Sequence, residues 1–234
     1  MNVHAGMTPK MKPVSPRRSA IVAALDVGTS KVVCLIARLK PQGPQHVLHR
    51  RSHGIELLGI GHTEARGIKG GAVVNLAEAE ESVRRAVDLA ESDASVQLES
   101  VVLSVSSGRL SSDFYAASVN VSGSSVTGND IGRALSAGSE HSVRPGRAVL
   151  HSMPTGFALD GVRGVGEPRG MLARQFGVDM HVVTADVAAV RNLMLVVERC
   201  YLNVRALIAT PYASALATTT EEEWSASERL WLGK

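Results

Sequence analysis

The chain has 234 residues, of which 44% are hydrophobic and 20% charged, proportions typical of a soluble globular protein with one large domain or two small ones. Only 3% of the residues are aromatic, which argues against a protein that binds single-stranded nucleic acid by stacking bases on aromatic rings. The formal net charge of +3 comes from residues 1–20, which hold four basic residues and no acidic one, so a broad basic nucleic-acid surface is not expected.

Residues 1–19 are predicted to form a disordered basic tail, because they combine several prolines with lysine and arginine. The apolar stretch Ile21–Leu25 is too short for the core of a signal peptide, since Asp26 interrupts it. No apolar run approaches the ~20 residues that a membrane-spanning helix needs. Cys34 and Cys200 lie in apolar contexts and are interpreted as buried thiols, with a disulfide as the alternative. We therefore expect a cytoplasmic protein.

The first elements in chain order are strands. Apolar runs predict strands at Ala20–Val27 and Val32–Leu39, joined into a hairpin by a turn over Gly28–Lys31. A polar linker at Pro41–His53 precedes a third strand at Ile55–Gly61. An irregular loop rich in glycine is expected to follow it.

A helix is predicted over Leu76–Ser92, because apolar residues recur there at helical spacing. Asn75 and Glu78, three residues apart at its start, resemble a capping box. A fourth strand is predicted at Ser100–Ser106.

Residues 107–184 differ in composition, being rich in glycine and serine, and are predicted to form a small inserted α+β module. One helix is expected near Asp130–Ser142. The predicted strands of the module lie around Ser118–Ser122, Val149–Leu159 and Met180–Val183.

After the insert, a helix over Asp186–Tyr201, a strand at Val204–Ala209 and a short helix from Pro211 are predicted. Residues 20–106 and 185–217 should then close into one α/β subdomain around a mixed sheet. Residues 218–234 hold both tryptophans and no continuing period, and we interpret them as an aberrant or truncated end.

The turn after the first strand carries the candidate chemistry. Backbone amides at Gly28, Thr29 and Ser30 can cradle a phosphate, and Lys31 adds positive charge. Asp26 would then face the divalent cation that accompanies a nucleotide, usually through water. The alternative is a plain hairpin in which Asp26 bonds its own turn.

Other motifs give little support to a different chemistry. The glycine pair Gly161–Gly166 is followed by Glu167 rather than by the lysine of a phosphate loop, and Gly59-Ile60-Gly61 lacks the third glycine of a dinucleotide site. The eight histidines show no metal-ligand spacing, and no serine-hydrolase elbow occurs, so we expect no catalytic residue of those classes.

Several motifs together resemble one family. They are AALDVGTSKVVCLIARL, ELLGIGHTEARGIKGGAVVN with the helix behind it, RAVLHSMPTGFALDG, GMLARQFGVDMHVVTAD and VERCYLNVRALIATPYASALA. In sequence and order they are similar to the FtsA family of bacterial cell-division proteins, within the actin-like ATPase superfamily. The resemblance extends from about Ile21 to Ala217.

The resemblance implies a ribonuclease-H-type sheet subdomain (1A), formed by residues 20–106 and 185–217, with an SHS2-like subdomain (1C) inserted at 107–184. It implies ATP with Mg bound through Asp26, Gly28, Thr29, Ser30 and Lys31, with Asp26 reaching the metal through water. The family's second lobe and its C-terminal amphipathic membrane helix have no counterpart here, so only half of the ATP site is expected.

By the same resemblance the expected function is that of a cell-division adaptor, not a turnover enzyme, which links the FtsZ ring to the membrane. It would self-associate through the insert, contact later division proteins and reach the inner-membrane division site only indirectly. Two alternatives remain open, namely a small-molecule kinase of the actin-like superfamily and a stand-alone interaction module that binds no nucleotide.

Overall fold

A computed structural model describes residues 9, 12, 14–42, 52–106, 108–141 and 144–219. The chain divides into two compact units, a main unit of residues 8–109 and 186–217 and an insert unit of residues 110–185. In chain order the elements are β1 (Ala20–Val27), β2 (Lys31–Pro41), β3 (His53–Glu64), β4 (Ile68–Lys69), β5 (Ala72–Val73), α1 (Leu76–Ala94), β6 (Ser100–Val105), β7 (Ser111–Asn120), α2 (Gly128–His141), β8 (Arg147–Leu159), β9 (Val162–Val165), β10 (Gln175–Asp186), α3 (Val187–Arg199), β11 (Asn203–Ala209) and α4 (Thr210–Thr218).

The main unit is built on a five-stranded mixed sheet with the order β11-β6-β1-β2-β3. Strands β1, β6 and β11 are parallel, whereas β1, β2 and β3 form an antiparallel meander. Alternation along the strands places Leu25, Leu103 and Leu207 on the face that is buried under helices α1 and α3. On the other face, Leu35 and Ile60 are exposed.

Close approach between α1 and β3 depends on glycine. A Cβ atom at Gly61 would lie 2.0 Å from the carbonyl oxygen of Ala86, and one at Gly59 would lie 2.4 Å from that of Ala90. The Gly-Ile-Gly segment is therefore a packing surface for a helix backbone, and the helix covers it where a dinucleotide would otherwise approach.

Helix α1 begins as predicted, but its cap differs from a capping box. The Asn75 side-chain oxygen accepts hydrogen bonds from the amides of Ala77 and Glu78. The amide of Asn75 donates to Gly67 O, at 3.0 Å, so it is not available to the Glu78 side chain. The cap is thus one-sided, and the second bond fastens the preceding loop.

The insert unit has a four-stranded sheet in the order β7-β10-β8-β9, with α2 packed against β7. Its core is formed by buried apolar side chains of α2, β8 and β10 and of the loop before α2, whereas β7 and β9 contribute side chains that are only partly buried. The buried residues are Val126, Ala134, Val149, Leu159, Phe176, Val178, Met180 and Val182.

A reciprocal capping box starts helix α2. The Thr127 amide and hydroxyl both donate to Asp130 Oδ2, and the Asp130 amide donates back to Thr127 Oγ1 at 3.3 Å. Arg133 pairs with the other carboxylate oxygen at 2.6 Å. The Thr127 hydroxyl first, and then Arg133, hold the pKa of the buried Asp130 well below its usual range.

Most predicted elements are confirmed, with shifted ends. The expected irregular loop after β3 instead contains the β4–β5 hairpin, β7 begins at Ser111 rather than Ser118, and β9 was not predicted. Residues 14–19, assigned to the tail, include a turn in which the Arg18 amide donates to Ser15 O. Most of residues 1–13, most of the linker and residues 220–234 lie outside the described residues.

Substituting Gly61 by alanine should destabilise the main unit by roughly 3 kcal/mol or more, because the new methyl group would collide with the α1 backbone. Denaturant unfolding followed by circular dichroism measures this. Gly54→Ala in the same strand is the matched control, since its nearest neighbour is the movable end of the Gln42 side chain. Equal effects of the two substitutions would contradict the packing role.

Asp130→Asn should lower the unfolding midpoint at neutral pH, because the native contacts favour the carboxylate over any neutral group. A depressed native pKa stabilises the fold above the unfolded pKa, and this contribution is lost as the pH falls below about 4. The wild-type and variant midpoints should therefore converge in acid. A difference that is constant from pH 7 to about pH 3 would refute the charge-based account.

Candidate functional site at the carboxyl edge of the main sheet

Three parallel strands end at the same edge of the main sheet. Asp26 of β1 lies beside Ser104 of β6 in the ladder, and Ser104 lies beside Ile208 of β11. The Ser104 hydroxyl is 2.6 Å from that of Thr210, the first residue of α4. The carboxyl edge of an open α/β sheet is where such folds commonly bind ligands.

Asp26 has an unsatisfied carboxylate oxygen. Its Oδ1 atom is buried and finds no hydrogen-bond partner in the described part of the chain. No hydrogen bond between Asp26 and its own turn occurs among the described residues, so the interpretation in which Asp26 only bonds that turn gains no support. A buried polar atom without a partner is costly and calls for an external one. A cation, or water bound to one, would satisfy this atom, so the residue fits the role predicted for it.

The predicted hairpin turn is formed. Gly28 donates its amide to Lys31 O at 3.0 Å, which closes the turn between β1 and β2. A Cβ atom at Gly28 would come within 3.1 Å of that same oxygen, so the position favours glycine. Ala65, which follows β3, donates its amide to Ser30 O at 3.0 Å and fixes the tip of the turn.

A second contact supports the turn from the β4–β5 hairpin. Gly71 donates its amide to Thr29 Oγ1 at 2.9 Å, so this hydroxyl is an acceptor within the fold and retains its own proton to donate. The amides of Thr29 and Ser30 have no acceptor among residues 14–42, 52–106, 108–141 and 144–219. The hydrogen bonds from Ala65 and Gly71 therefore fix the turn, and the amides of Thr29 and Ser30 remain available for an anion.

Lys31 begins β2 on the sheet face that also carries Asp26. Asp26 pairs with Val33 in the ladder, and Lys31 precedes Val33 by two residues, which places both side chains on one face. Lys31 is exposed and forms no ion pair with any described carboxylate. The structure thus keeps Asp26, Thr29, Ser30 and Lys31 available together, but the prediction that the Gly28 amide binds phosphate is wrong, because that amide is used to close the turn.

The two cysteines are free thiols, which rules out the disulfide alternative. Cys34 is fully buried, as predicted, and burial raises its pKa to about 12. Cys200 is only half-buried, and burial raises its pKa to about 11. Neither thiol has the lowered pKa of a nucleophile.

The other candidate motifs do not assemble into a site. Within the described ranges no three His, Cys, Asp or Glu side chains come together as metal ligands, and His46 and His49 lie outside those ranges. Gly161 belongs to the turn between β8 and β9, where its φ of 85° requires glycine. No described helix is long and apolar enough to cross a membrane.

Comparison with known proteins identifies the family. Residues 107–184 match the family model of the SHS2 domain inserted in FtsA. Over 92% of its length the chain is 46% identical to the cell division protein FtsA of Rhizobium meliloti (strain 1021). The chain belongs to the FtsA family. Over 87% of its length it is also 30% identical to FtsA of Escherichia coli K12.

The match covers only part of the FtsA relatives, since the chain spans 49% of the Rhizobium protein and 46% of the Escherichia protein. A chain of the PilM-PilN type IV pilus biogenesis complex shares the fold of this FtsA homologue, with a TM-score of 0.51 at 14% sequence identity. That likeness covers 83% of this chain and 49% of the other. It supports the predicted actin-like architecture.

Three contributors to this FtsA-family site were not found from the sequence. Ser104 and Thr210 reach the edge only through strand register, and Gly71 reaches Thr29 only through the β4–β5 hairpin. The one available signal was the position of Ser104 and Thr210 near the ends of two apolar runs, each predicted to be a strand. Without the strand order, that signal cannot place them beside Asp26.

Asp26→Asn should stabilise the isolated protein by about 1 kcal/mol, because a neutral amide is less costly than a carboxylate at an unpartnered buried position. Urea unfolding without nucleotide or divalent metal measures the change. A loss of stability would show instead that the carboxylate makes a structural bond, and would remove the argument that it awaits an external partner.

Proposed function

We propose that this chain provides the phosphate-facing half of an ATP site in a cell-division adaptor of the FtsA type. The supporting observation is the pairing of an unpartnered buried oxygen of Asp26 with two free amides at the adjoining turn. A plain structural hairpin would satisfy these groups internally. Their lack of an internal partner is the feature that a phosphate and its metal would use.

Each residue of the proposed site has a separate task. The amides of Thr29 and Ser30 bind phosphate oxygens, and the Lys31 ammonium offsets their negative charge. Asp26 would hold magnesium through water, and the metal would neutralise phosphate charge. Ser104 and Thr210 are hydrogen-bonded to each other and line the site beside Asp26.

An adaptor role is favoured over enzymatic turnover. Phosphoryl transfer to a small molecule requires a group that takes a proton from the acceptor, usually a second carboxylate or a histidine. Asp26 is assigned to the metal, and the other carboxylate at this edge, Glu64 opposite Lys31, pairs with Arg66 at 3.4 Å. Nucleotide binding without a general base suits a conformational role.

We further propose that the full family role applies to the protein to which this sequence corresponds. In that role the adaptor links the FtsZ ring to the membrane and self-associates, with the insert unit as the self-association and partner-binding module. The support is the sequence identity with FtsA proteins and the match of residues 107–184 to their inserted SHS2 domain.

Binding of Mg-ATP to the 234-residue chain should be weak, with a Kd above about 0.1 mM. The turn supplies a few charge-assisted hydrogen bonds worth about 1–3 kcal/mol each, and these must offset roughly 4–15 kcal/mol of lost rigid-body freedom. Isothermal titration calorimetry measures the affinity. Mg-tripolyphosphate should compete with Mg-ATP at similar concentrations, because the contacts are to phosphate.

The control for this titration is Asp26→Asn, which should weaken binding about tenfold through loss of the metal-facing charge. Low-micromolar binding of Mg-ATP that tripolyphosphate does not displace would contradict the half-site proposal. Turnover of ATP with a sugar or carboxylic acid as acceptor would favour the kinase alternative instead.

A further inference from the structure

An arginine that the sequence analysis did not single out lies beside the turn between β1 and β2. The Ala65 amide donates to Ser30 O, at the tip of the turn, and the next residue in the chain is Arg66. The Arg66 amide donates to Ser82 Oγ of helix α1 at 3.0 Å. The backbone of Arg66 is therefore fixed on two sides, one residue away from the contact with the turn.

The guanidinium of Arg66 lies on the side of the sheet that carries Lys31 and Asp26. Strand register pairs Lys31 with Glu64, so the side chains of these two residues share a face of the sheet. Asp26 is on the same face, through its pairing with Val33. Arg66 Nη2 is 3.4 Å from Glu64 Oε2, which places the guanidinium next to the cross-strand neighbour of Lys31.

Much of the hydrogen-bonding capacity of this guanidinium is unused. Its contact with Glu64 engages only Nη2, and the Arg66 side chain is 68% exposed. The N–H groups on Nε and Nη1 find no acceptor among the residues that the structure describes. The fold does not depend on this ion pair, because backbone amides already fix the segment and an exposed pair stabilises a protein little.

A guanidinium at this position suits a phosphate ligand. Its planar fork of N–H groups matches two phosphate oxygens, and such bonds are charge-assisted. The amides of Thr29 and Ser30 supply one phosphate position at the turn. Arg66 supplies a second position beside it. A single phosphate ion needs only the first position, whereas a chain of linked phosphates can occupy both.

We propose that Arg66 is a further phosphate-binding residue of this site, which contacts a second phosphate of the nucleotide's phosphate chain through Nε and Nη1. Glu64 retains its contact with Nη2, so the guanidinium stays beside Lys31 when it binds. This inference rests on the proposed function, because it takes the amides of the turn as the first contact. Its consequence is a site that selects linked phosphates over a single phosphate ion.

Backbone amide NMR of the full chain measures this selectivity. Titrations with tripolyphosphate and with orthophosphate, both in the presence of magnesium, give two dissociation constants from the shifts of Thr29 and Ser30. Arg66→Ala should weaken tripolyphosphate binding about tenfold and orthophosphate binding less than about twofold. The preference for tripolyphosphate should therefore fall severalfold, which loss of a merely structural arginine would not cause.

Two matched variants separate the guanidinium from charge alone. Arg66→Lys keeps the charge but lacks the planar fork, and should restore only part of the lost tripolyphosphate binding. Arg169→Ala removes the same charge from an exposed arginine of the insert unit and should leave both dissociation constants unchanged. Unchanged unfolding midpoints establish that each variant is folded.

The side-chain resonance of Arg66 gives a direct readout in the wild-type protein. Its Nε–H signal should shift during titration with tripolyphosphate, and much less with orthophosphate, because only the longer ligand reaches the guanidinium.

The outcomes distinguish this inference from the function on which it rests. Shifts at Thr29 and Ser30 with the same selectivity in wild type and Arg66→Ala would overturn the role of Arg66 and leave the phosphate-binding turn in place. Full restoration of binding by Arg66→Lys would show a point charge and overturn the assigned contacts. Absence of shifts at Thr29 and Ser30 with either ligand would contradict the proposed function and this inference together.

Discussion

The parallel pairing of β11 with β6 is the contact on which the rest of the main unit depends. These strands are separated by the whole insert, yet they align from Asn203 with Ser100 to Ala209 with Val105, with one bulge near Val204. Their pairing completes the sheet beside β1 and sets Thr210 against Ser104. Where the insert leaves and rejoins this unit, the Asp186 amide donates to Gly108 O. Without this pairing Thr210 would not lie against Ser104 at the carboxyl edge of the sheet.

Two aspartates in this chain, each with a buried carboxylate oxygen, show how a structural carboxylate differs from one left for a ligand. Asp130 is surrounded by donors from Thr127, Ser122 and Arg133, and every one of these bonds stabilises the charged form. Asp26 has a buried oxygen with no such donor. Proteins tolerate an unsatisfied buried group mainly where function requires it, since stability is lost in its absence. The contrast is the physical basis for treating the two residues differently.

Local patterns predicted much of this fold. The apolar runs of β1 and β2 flank a glycine turn, and α1 and α3 repeat apolar residues at helical spacing, so each could be predicted without tertiary information. The two-residue strands β4 and β5 are too short to show any period. Strand β7 was predicted to begin too late, because its outward residues include Ser112, Phe114 and Ala116 and blur the alternation of polar and apolar positions.

The site was only partly predictable for a related reason. Asp26 and the Gly28–Lys31 turn are contiguous in sequence, so their association is local and visible in the printed chain. Ser104, Thr210 and Gly71 enter through strand register and hairpin pairing over long separations. The capping box of Thr127 and Asp130 was local as well, and its Thr-x-x-Asp spacing could have been recognised.

The central claim is that the turn after β1 binds phosphate through its free amides. Backbone amide NMR of the 234-residue chain during titration with Mg-tripolyphosphate tests it most directly. The account predicts saturable shifts at Thr29, Ser30 and Lys31, with smaller ones at Ser104 and Thr210, and none in residues 110–185. Shifts confined to the insert unit or to the start of β1, with the turn unaffected at saturation, would contradict it.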